Sequence, residues 1–377
     1  MPAGIYIHIP FCISRCSYCD FATEIYRDND AVDKYVSSLC TEIQKSKFTT
    51  PDLVETVYFG GGTPSLLNPW QLEKVFDAIN RSFEVQENIE FTVEMNPATV
   101  SLEKLKHFKS LGVNRASFGV QTFDDRALRI LARGHDANDA ITTFKLLRQA
   151  NFDNISFDLI GGLPNQSLRD WEMNLDNALA LDPEHLSLYL LEIHEGTPLD
   201  EQIRSNRQPL PDPDLAGKMY QRMAEMVSEN GFLQYEISNF AKPGFESAHN
   251  NKYWLCEPVI GFGVSAHSFD GGRRRWSNVR DTSEYLSMIE EGRSPIVNLE
   301  EQNEERSSAE FAFLNLRLTK GIDLEAYEAR FGRELLTEYS EEISNLAMSG
   351  LLDTDDRYLR LTKKGRLFSN EVFEVFV

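Results

Sequence analysis

Apolar and polar positions follow two periods over the first 190 residues. Runs rich in β-branched and aromatic residues read as strands at 5–9, 54–59, 89–95, 115–120, 155–160 and 185–190. Between them the apolar residues recur at helical spacing. Val32, Tyr35, Val36, Leu39, Cys40 and Ile43 share one face, and Leu102, Leu105, Phe108 and Leu111 share another. Ser101 can cap that second helix and Gly112 can end it. Further helices are expected over 69–82, 124–131, 136–150 and 168–181. Six βα-type repeats predict an α/β fold with a helix-covered parallel sheet. A closed barrel normally has eight strands. The pattern therefore admits a doubly wound open sheet or a partial barrel and does not choose between them.

The alternation stops after residue 195. Pro198, Pro209, Pro211 and Pro213 mark a linker. A helix follows at 213–230, with Leu215, Met219, Met223, Met226 and Val227 on one side, a stripe that reads as core packing. Residues 232–300 read as short strands and a helix. From 306 the pattern is helical and ends in a hairpin: Leu351-Leu352, a turn at 353–357, and a strand at 358–361. Helices followed by a hairpin suggest a winged-helix shape. The expected division is 1–195, 196–305 and 306–377.

Charge narrows the choice of partners. The 38 Lys+Arg against 59 Asp+Glu give −21. So acidic a chain repels phosphate backbones and anionic headgroups, which disfavours nucleic-acid and membrane-surface binding. Residues 321–377 carry 12 acidic and 7 basic side chains, so the winged tail reads as structural or partner-binding. No apolar run approaches the roughly 18 residues of a spanning helix. Met1-Pro2-Ala3-Gly4 leads into a strand without a signal pattern, and a cytoplasmic location is expected.

Three of the five cysteines, Cys12, Cys16 and Cys19, fall directly after the first strand; Cys40 and Cys256 stand alone. In a reducing compartment such a cluster points to metal. Three thiolates can hold three corners of a 4Fe–4S cubane, which normally takes four, and leave one iron open. The alternatives are a zinc site completed by a fourth ligand such as His8, and free buried thiols.

The run 6–21 (YIHIPFCISRCSYCDF) resembles the opening of radical S-adenosylmethionine (SAM) proteins, and within them the coproporphyrinogen III dehydrogenase-like group. The resemblance continues through Gly60-Gly61-Gly62-Thr63-Pro64-Ser65, Glu94, Gly119-Val120-Gln121, Arg133-Gly134-His135, the run 158–164 (DLIGGLP) and the acidic C-terminal region. It implies a partial (β/α)6 TIM-like barrel with a smaller α+β, winged-helix-like C-terminal domain. It also implies a 4Fe–4S cluster on Cys12, Cys16 and Cys19, with SAM on the open iron and an electron donor for the cluster. The protein's part is to hold and orient SAM. Tyr6, Gly61, Gly62, Thr63, Glu94, Gln121, Arg133 and Asp158 match positions that the family uses around SAM. Read without the resemblance, Glu94 is a solvated strand-end carboxylate, Arg133 and Asp158 are an ion pair, and Tyr6 is strand core.

Two departures separate the chain from the dehydrogenases themselves. Those enzymes carry a further cysteine two residues after the third cluster cysteine, where this chain has Phe21, and an extension before the first strand. The run 249–254 (HNNKYW) resembles the signature of the heme chaperones called HemW, in which it is associated with heme binding and transfer to acceptor proteins. This implies His249 as a heme ligand, with Cys256 and His267 as rivals and Arg273-Arg274-Arg275 either meeting propionates or forming a hairpin tip. Read without the resemblance, a lone His beside Tyr and Trp is a hydrogen-bonded structural residue. The leading expectation is a radical SAM heme chaperone lacking dehydrogenase activity, its heme segment independent of the cluster. The alternatives are a coproporphyrinogen III dehydrogenase and a zinc-bearing winged-helix regulator.

Overall fold

The expected strands form six neighbours in a parallel sheet: β1 (Ala3–Ile9), β2 (Val54–Gly61), β3 (Val85–Met95), β4 (Arg115–Gln121), β5 (Ile155–Gly161) and β6 (His185–Leu190). The computed structural model describes residues 2–46 and 53–376. Helices α1 (Asn29–Lys45), α2 (Pro69–Ser82), α3 (Leu102–Ser110), α4 (Asp125–Ile130), α5 (Ala137–Gln149) and α6 (Leu168–Ala180) lie in the connections. Each starts on a side-chain cap: Asp28, Asn68, Ser101, Asp124, Asp136 and Ser167 accept backbone N–H bonds. These caps satisfy donors that the first helical turn leaves unpaired.

The strands are two-faced. Ile5, Ile7, Val57, Phe59, Phe91, Val93, Phe118, Phe157, Leu159 and Leu186 are essentially inaccessible and belong to the main core. The alternate positions are polar: Tyr6, His8, Thr56, Tyr58, Thr92, Glu94, Arg115, Ser117, Ser156, Asp158, His185 and Ser187. Register keeps them side by side across the sheet, with Tyr6 opposite Tyr58, Glu94 opposite Ser117, and Asp158 opposite Ser187. Period two thus puts apolar residues under the helices and a polar lumen on the inner side.

Segments from 196–305 extend this sheet at both edges to twelve strands. Val259–Phe262 joins β1 in parallel, followed outward by antiparallel His267–Phe269, Arg274–Asn278 and Ile296–Glu301. Asn239–Ala241 and then Leu233–Gln234 add antiparallel to β6. Among the described residues the two sheet ends do not pair, so the barrel is partial.

The proline-marked stretch differs from a plain linker. Pro198 and Pro213 open helices Pro198–Arg204 and Pro213–Glu229, capped by Thr197 and Asp212. Proline fits the first helical position, where its missing N–H costs no bond. Met219, Met223 and Met226 are buried in the core, as their spacing predicted. Behind the barrel, helices Leu324–Phe331, Leu335–Glu338 and Ser340–Met348 precede a hairpin pairing Leu352 with Leu361, and Ile322–Asp323 completes a three-stranded sheet. Among the described residues, no helix is long and apolar enough to cross a membrane.

Candidate cofactor site

The cysteine loop leaves the end of β1 through the two-residue strand Phe11–Cys12, which pairs in parallel with Glu24–Ile25. Glu24 N–H donates to Pro10 O (2.8 Å) and Tyr26 N–H to Cys12 O (2.7 Å), closing the loop's base. Buried Ser17 fastens its middle, donating N–H to Leu131 O and Oγ–H to Ile130 O, both at 2.9 Å. Tyr18 packs among Ala127, Leu131, Ile160 and Leu163. Cys12, Cys16 and Cys19 are therefore free, half-buried thiols on a loop tied at base and middle.

Two of them face donors. Thr63 Oγ1 donates to Cys12 Sγ (3.6 Å) and Arg133 Nη1 to Cys16 Sγ (3.4 Å). Asn96 joins these donors, its Nδ2 donating to Thr63 Oγ1 (2.7 Å) and its Oδ1 accepting from Arg133 Nη2 (2.9 Å). One side-chain chain thus runs from Cys12 through Thr63, Asn96 and Arg133 to Cys16. Arg133 Nη2 also donates to Gly119 O (2.6 Å). The Arg133–Asp158 ion pair expected without the resemblance is absent among the described residues, since Arg133 turns to Cys16 instead.

The donor set suits a cluster rather than zinc. Among the described residues, no three His, Cys, Asp or Glu side chains converge on one ion. A cubane places one thiolate on each corner iron, so its ligands need not converge. His8, the candidate fourth zinc ligand, is occupied: Nε2 donates to Ala22 O (2.9 Å) and Nδ1 accepts from Tyr6 OH (3.1 Å). Burial pushes the Cys12 thiol up to about 11, with Thr63 opposing, and a bound cation would reverse that penalty. Cys40 lies on the buried face of α1, and Cys256 is buried.

The glycine run begins inside β2 rather than after it. Gly61 pairs with Ile9 at φ +111°, and a Cβ there would stand 2.7 Å from His8 Cε1. At Gly62 a Cβ would meet Pro10 O at 2.7 Å and Phe11 O at 2.8 Å. Those are backbone atoms of the strand that delivers Cys12, and they cannot swing aside. Gly62→Ala is expected to cost about 1–3 kcal/mol, typical of forced overpacking, and to lower cluster iron. Urea unfolding and iron content of the reconstituted variant check this.

Glu94, at the end of β3, is not a solvated carboxylate. It lies deep in the barrel with part of its surface open to the lumen. Its Oε1 accepts from Tyr58 OH (2.7 Å) and Oε2 from Gly61 N–H (3.1 Å). Burial pushes its carboxyl up to about 7; Asp158 adds to the rise, while Tyr58, Gly61 and Arg115 pull back. Burial also raises Asp158, opposed by Ser187, Arg115 and Arg133. Tyr6 lies half-buried on the same inner face, its ring 6.1 Å from that of Tyr58. Gln121 takes a left-handed backbone conformation (φ +65°), with its amide folded over Gly119. Cys12, Cys16, Thr63, Gly119 and Arg133 thus meet at the strand ends, and Gly61 links them to Glu94, Tyr58, Tyr6 and Asp158 in the lumen. Sequence reading missed Tyr58 and Asn96; the signals were Tyr58's place in alternation with Thr56 and Gly60, and the Glu94-x-Asn96 spacing.

His249 lies elsewhere than expected. It sits on helix Ala248–Trp254 and is 1% exposed. Its Nδ1 shares a hydrogen bond with Thr56 Oγ1 (2.8 Å) on β2, and Nε2 shares one with Tyr253 OH (3.2 Å). Neither nitrogen is open to an iron, and the segment folds against the barrel, so its expected independence from the cofactor lumen fails. Of its rivals, Cys256 is buried and its thiol pushed up to about 12 by that burial, whereas His267 is exposed. Arg274 opens a strand after the Gly271-Gly272 turn, and Arg275 pairs with Glu310 (2.8 Å) and covers the Phe269 ring, so the arginine run is a hairpin tip.

The Radical SAM superfamily description matches residues 6–178, and the HemN C-terminal domain description matches 305–368. The chain is 40% identical to the heme chaperone HemW of Bacillus subtilis, over 99% of this chain and 98% of that protein. It is 35% identical to the HemW of Lactococcus lactis, over 100% and 97%. Bovine radical S-adenosyl methionine domain-containing protein 1, mitochondrial, is also 35% identical, over 96% of this chain and 84% of that protein. The solved coproporphyrinogen III oxidase HemN of Escherichia coli superimposes with a TM-score of 0.88 at 23% identity, covering 100% of this chain and 90% of that one; this is a likeness of fold. A radical SAM protein implies SAM and a 4Fe–4S cluster as cofactors, and the three-cysteine loop with its donors fits that pair. On identity across its whole length, the chain belongs to the HemW family of the radical SAM superfamily.

Proposed function

We propose that this protein is a radical SAM heme chaperone: it carries a 4Fe–4S cluster and SAM, binds heme and passes heme to an acceptor protein. The observation that carries the reading is 40% identity to a heme chaperone over nearly the full length of both chains. In this reading Cys12, Cys16 and Cys19 hold the cluster. Gly61, Gly62 and Thr63 form the cradle for SAM, with Tyr6, Glu94, Gln121, Arg133 and Asp158 around it. The cluster supplies one-electron chemistry to SAM when both are bound, and an external donor reduces it. The chain's own residues orient: Thr63 and Arg133 set the Cys12 and Cys16 sulfurs, and Glu94 presents a carboxyl to hydroxyl or amino groups of a ligand. Residues 1–195 serve the cofactors, 196–305 carry the heme-associated segment, and 306–377 offer an acidic surface to partners in the cytoplasm.

Phe21, 69% exposed beside the cluster loop, stands where the dehydrogenases carry a further cysteine, which supports a chaperone over porphyrinogen decarboxylation. For heme iron, accessibility favours His267 over the enclosed His249 and Cys256. The test is anaerobic reconstitution followed by three assays on one sample: heme titration, transfer to a heme-free acceptor, and coproporphyrinogen III turnover. Heme binding and transfer without protoporphyrinogen are expected, and His267→Ala should weaken heme or shift its spectrum. Multiple-turnover formation of protoporphyrinogen without heme transfer would replace this reading with the dehydrogenase.

A further inference from the structure

We propose that helix Ala248–Trp254 is the floor of the SAM lumen, and that His249 is a positioning residue for Glu94, acting through Tyr58. The proposal rests on the reading that Glu94 contacts SAM. Its basis is a ring stack that crosses from this late helix into the first two barrel strands. The His249 ring lies 5.0 Å from the Tyr58 ring at 27° and 6.5 Å from that of Tyr6, and Tyr6 stacks on Tyr58 at 25°. Tyr58 then donates its phenol proton to Glu94. His249 thus backs the ring whose hydroxyl holds the carboxyl.

The surroundings fix that backing in place. Thr56 and Tyr253 hold the two ring nitrogens. Gly4 of β1 makes room, since a Cβ there would lie 2.8 Å from Thr56 Oγ1 and 3.0 Å from His249 Cε1. The Glu90 carboxylate on β3 accepts from the backbone N–H groups of Ala248 (2.9 Å) and His249 (2.8 Å). Buried Lys252 bonds Glu55 on β2, Glu257 and Pro2 O. From the C-terminal side, Arg317 covers the Trp254 ring at 4.3 Å and pairs with buried Glu236 (3.2 Å). A helix tied to β2, to β3 and to Pro2 just ahead of β1 is built to be rigid, and rigidity is what holding a side chain in one geometry requires.

The charged and titratable groups that face Glu94 are Tyr58, Asp158 and Arg115, with Tyr6 and Tyr253 beyond. Loss of the His249 ring would let Tyr58 drop into the space and withdraw its phenol from Glu94. The carboxyl would then keep its proton to higher pH, because Tyr58 favours the ionised form.

The experiment measures SAM affinity against pH on the cluster-loaded protein for wild type, His249→Ala, His249→Phe, Tyr58→Phe and Glu94→Gln. His249→Ala should weaken SAM by on the order of tenfold at neutral pH, the scale of one charge-assisted hydrogen bond, and move the binding midpoint upward. His249→Phe keeps the ring and should keep the midpoint, even if it lowers thermal stability. The double variant His249→Ala/Tyr58→Phe should be no worse than Tyr58→Phe alone, since both act on one contact. If Glu94→Gln and Tyr58→Phe weaken SAM while His249→Ala leaves affinity and midpoint at wild type, the positioning role is wrong. If Glu94→Gln itself binds SAM like wild type, the assignment of Glu94 fails instead.

Discussion

Replacing any one of Cys12, Cys16 or Cys19 by Ser is expected to abolish the cluster, while Cys40→Ser and Cys256→Ser leave it intact. Three thiolates are the fewest that can hold three corners of a cubane, so no ligand is spare. A serine hydroxyl is a poor substitute because it stays protonated near neutral pH. The loop's geometry leaves no replacement at hand: His8 is bonded at both nitrogens, and its ring packs beneath Gly61. Cys40 belongs to the packing of α1, where a thiol behaves as a small hydrophobe and its Sγ faces Lys74 O at 3.5 Å. Cys256 is buried just past the end of helix Ala248–Trp254, in a left-handed backbone position (φ +51°). Iron, sulfide and visible absorbance after anaerobic reconstitution read the outcome. Loss of cluster iron in either control variant would overturn the three-cysteine assignment. SAM binding should disappear with the cluster in each of the three, since it depends on the open iron.

What could be read along the chain divides by how local its cause is. The six barrel strands were legible because each alternates apolar and polar residues over enough positions to show period two. The C-terminal hairpin was legible because Leu351-Leu352 and 358–361 flank the polar turn segment 353–357. The cysteine loop was legible because ligand spacing is itself a local property. Val259–Phe262 was not legible as a partner of β1: four residues carry no periodic signal, and register across some 250 positions is a tertiary fact. Pro198 misled, because proline breaks helices inside but starts them at the first position; the helix from 213 was legible from its apolar stripe. Helices Pro198–Arg204 and Pro213–Glu229 both begin that way.

The polar site was harder to read for a related reason. Glu94, Arg133 and His249 each have a bland reading on composition alone, and only their neighbours decide. Arg133 turns to Cys16 and Asn96 rather than Asp158, and bonds Gly119 O on β4 as well. The ligand reading of His249 came from the motif resemblance, whereas its residue chemistry pointed to a hydrogen-bonded structural histidine, which is what the fold shows. Its enclosure comes from Gly4, Thr56 and Tyr58, all nearly two hundred residues or more earlier in the chain. A buried polar ring satisfied at both nitrogens is stable.

SAM affinity is expected to rise with pH up to about 7 and then level off, and Glu94→Gln should flatten that curve at a lower plateau. The sign follows from the free protein's carboxyl. Burial holds Glu94 protonated to about 7, above the ordinary carboxyl range, with Asp158 adding repulsion. A ligand that brings a sulfonium, an ammonium group and ribose hydroxyls favours the carboxylate over the acid. Binding must therefore expel the proton whenever the pH lies below about 7, and each further unit downward weakens affinity by up to about tenfold. Above that value the carboxylate is already formed and no further gain is available. Gln keeps the size and one acceptor oxygen, for Tyr58 OH or Gly61 N–H but not both, and carries no charge at any pH. It should lose on the order of tenfold or more at the plateau, the scale of a charge-assisted hydrogen bond, and show no rise. Asp158 is also raised by burial and sits opposite Ser187, so Asp158→Asn is the companion variant. A shallow residual slope in Glu94→Gln that vanishes in the double variant would identify Asp158 as the second titrating carboxyl. A full slope retained in Glu94→Gln would mean that the proton expelled on SAM binding comes from another group.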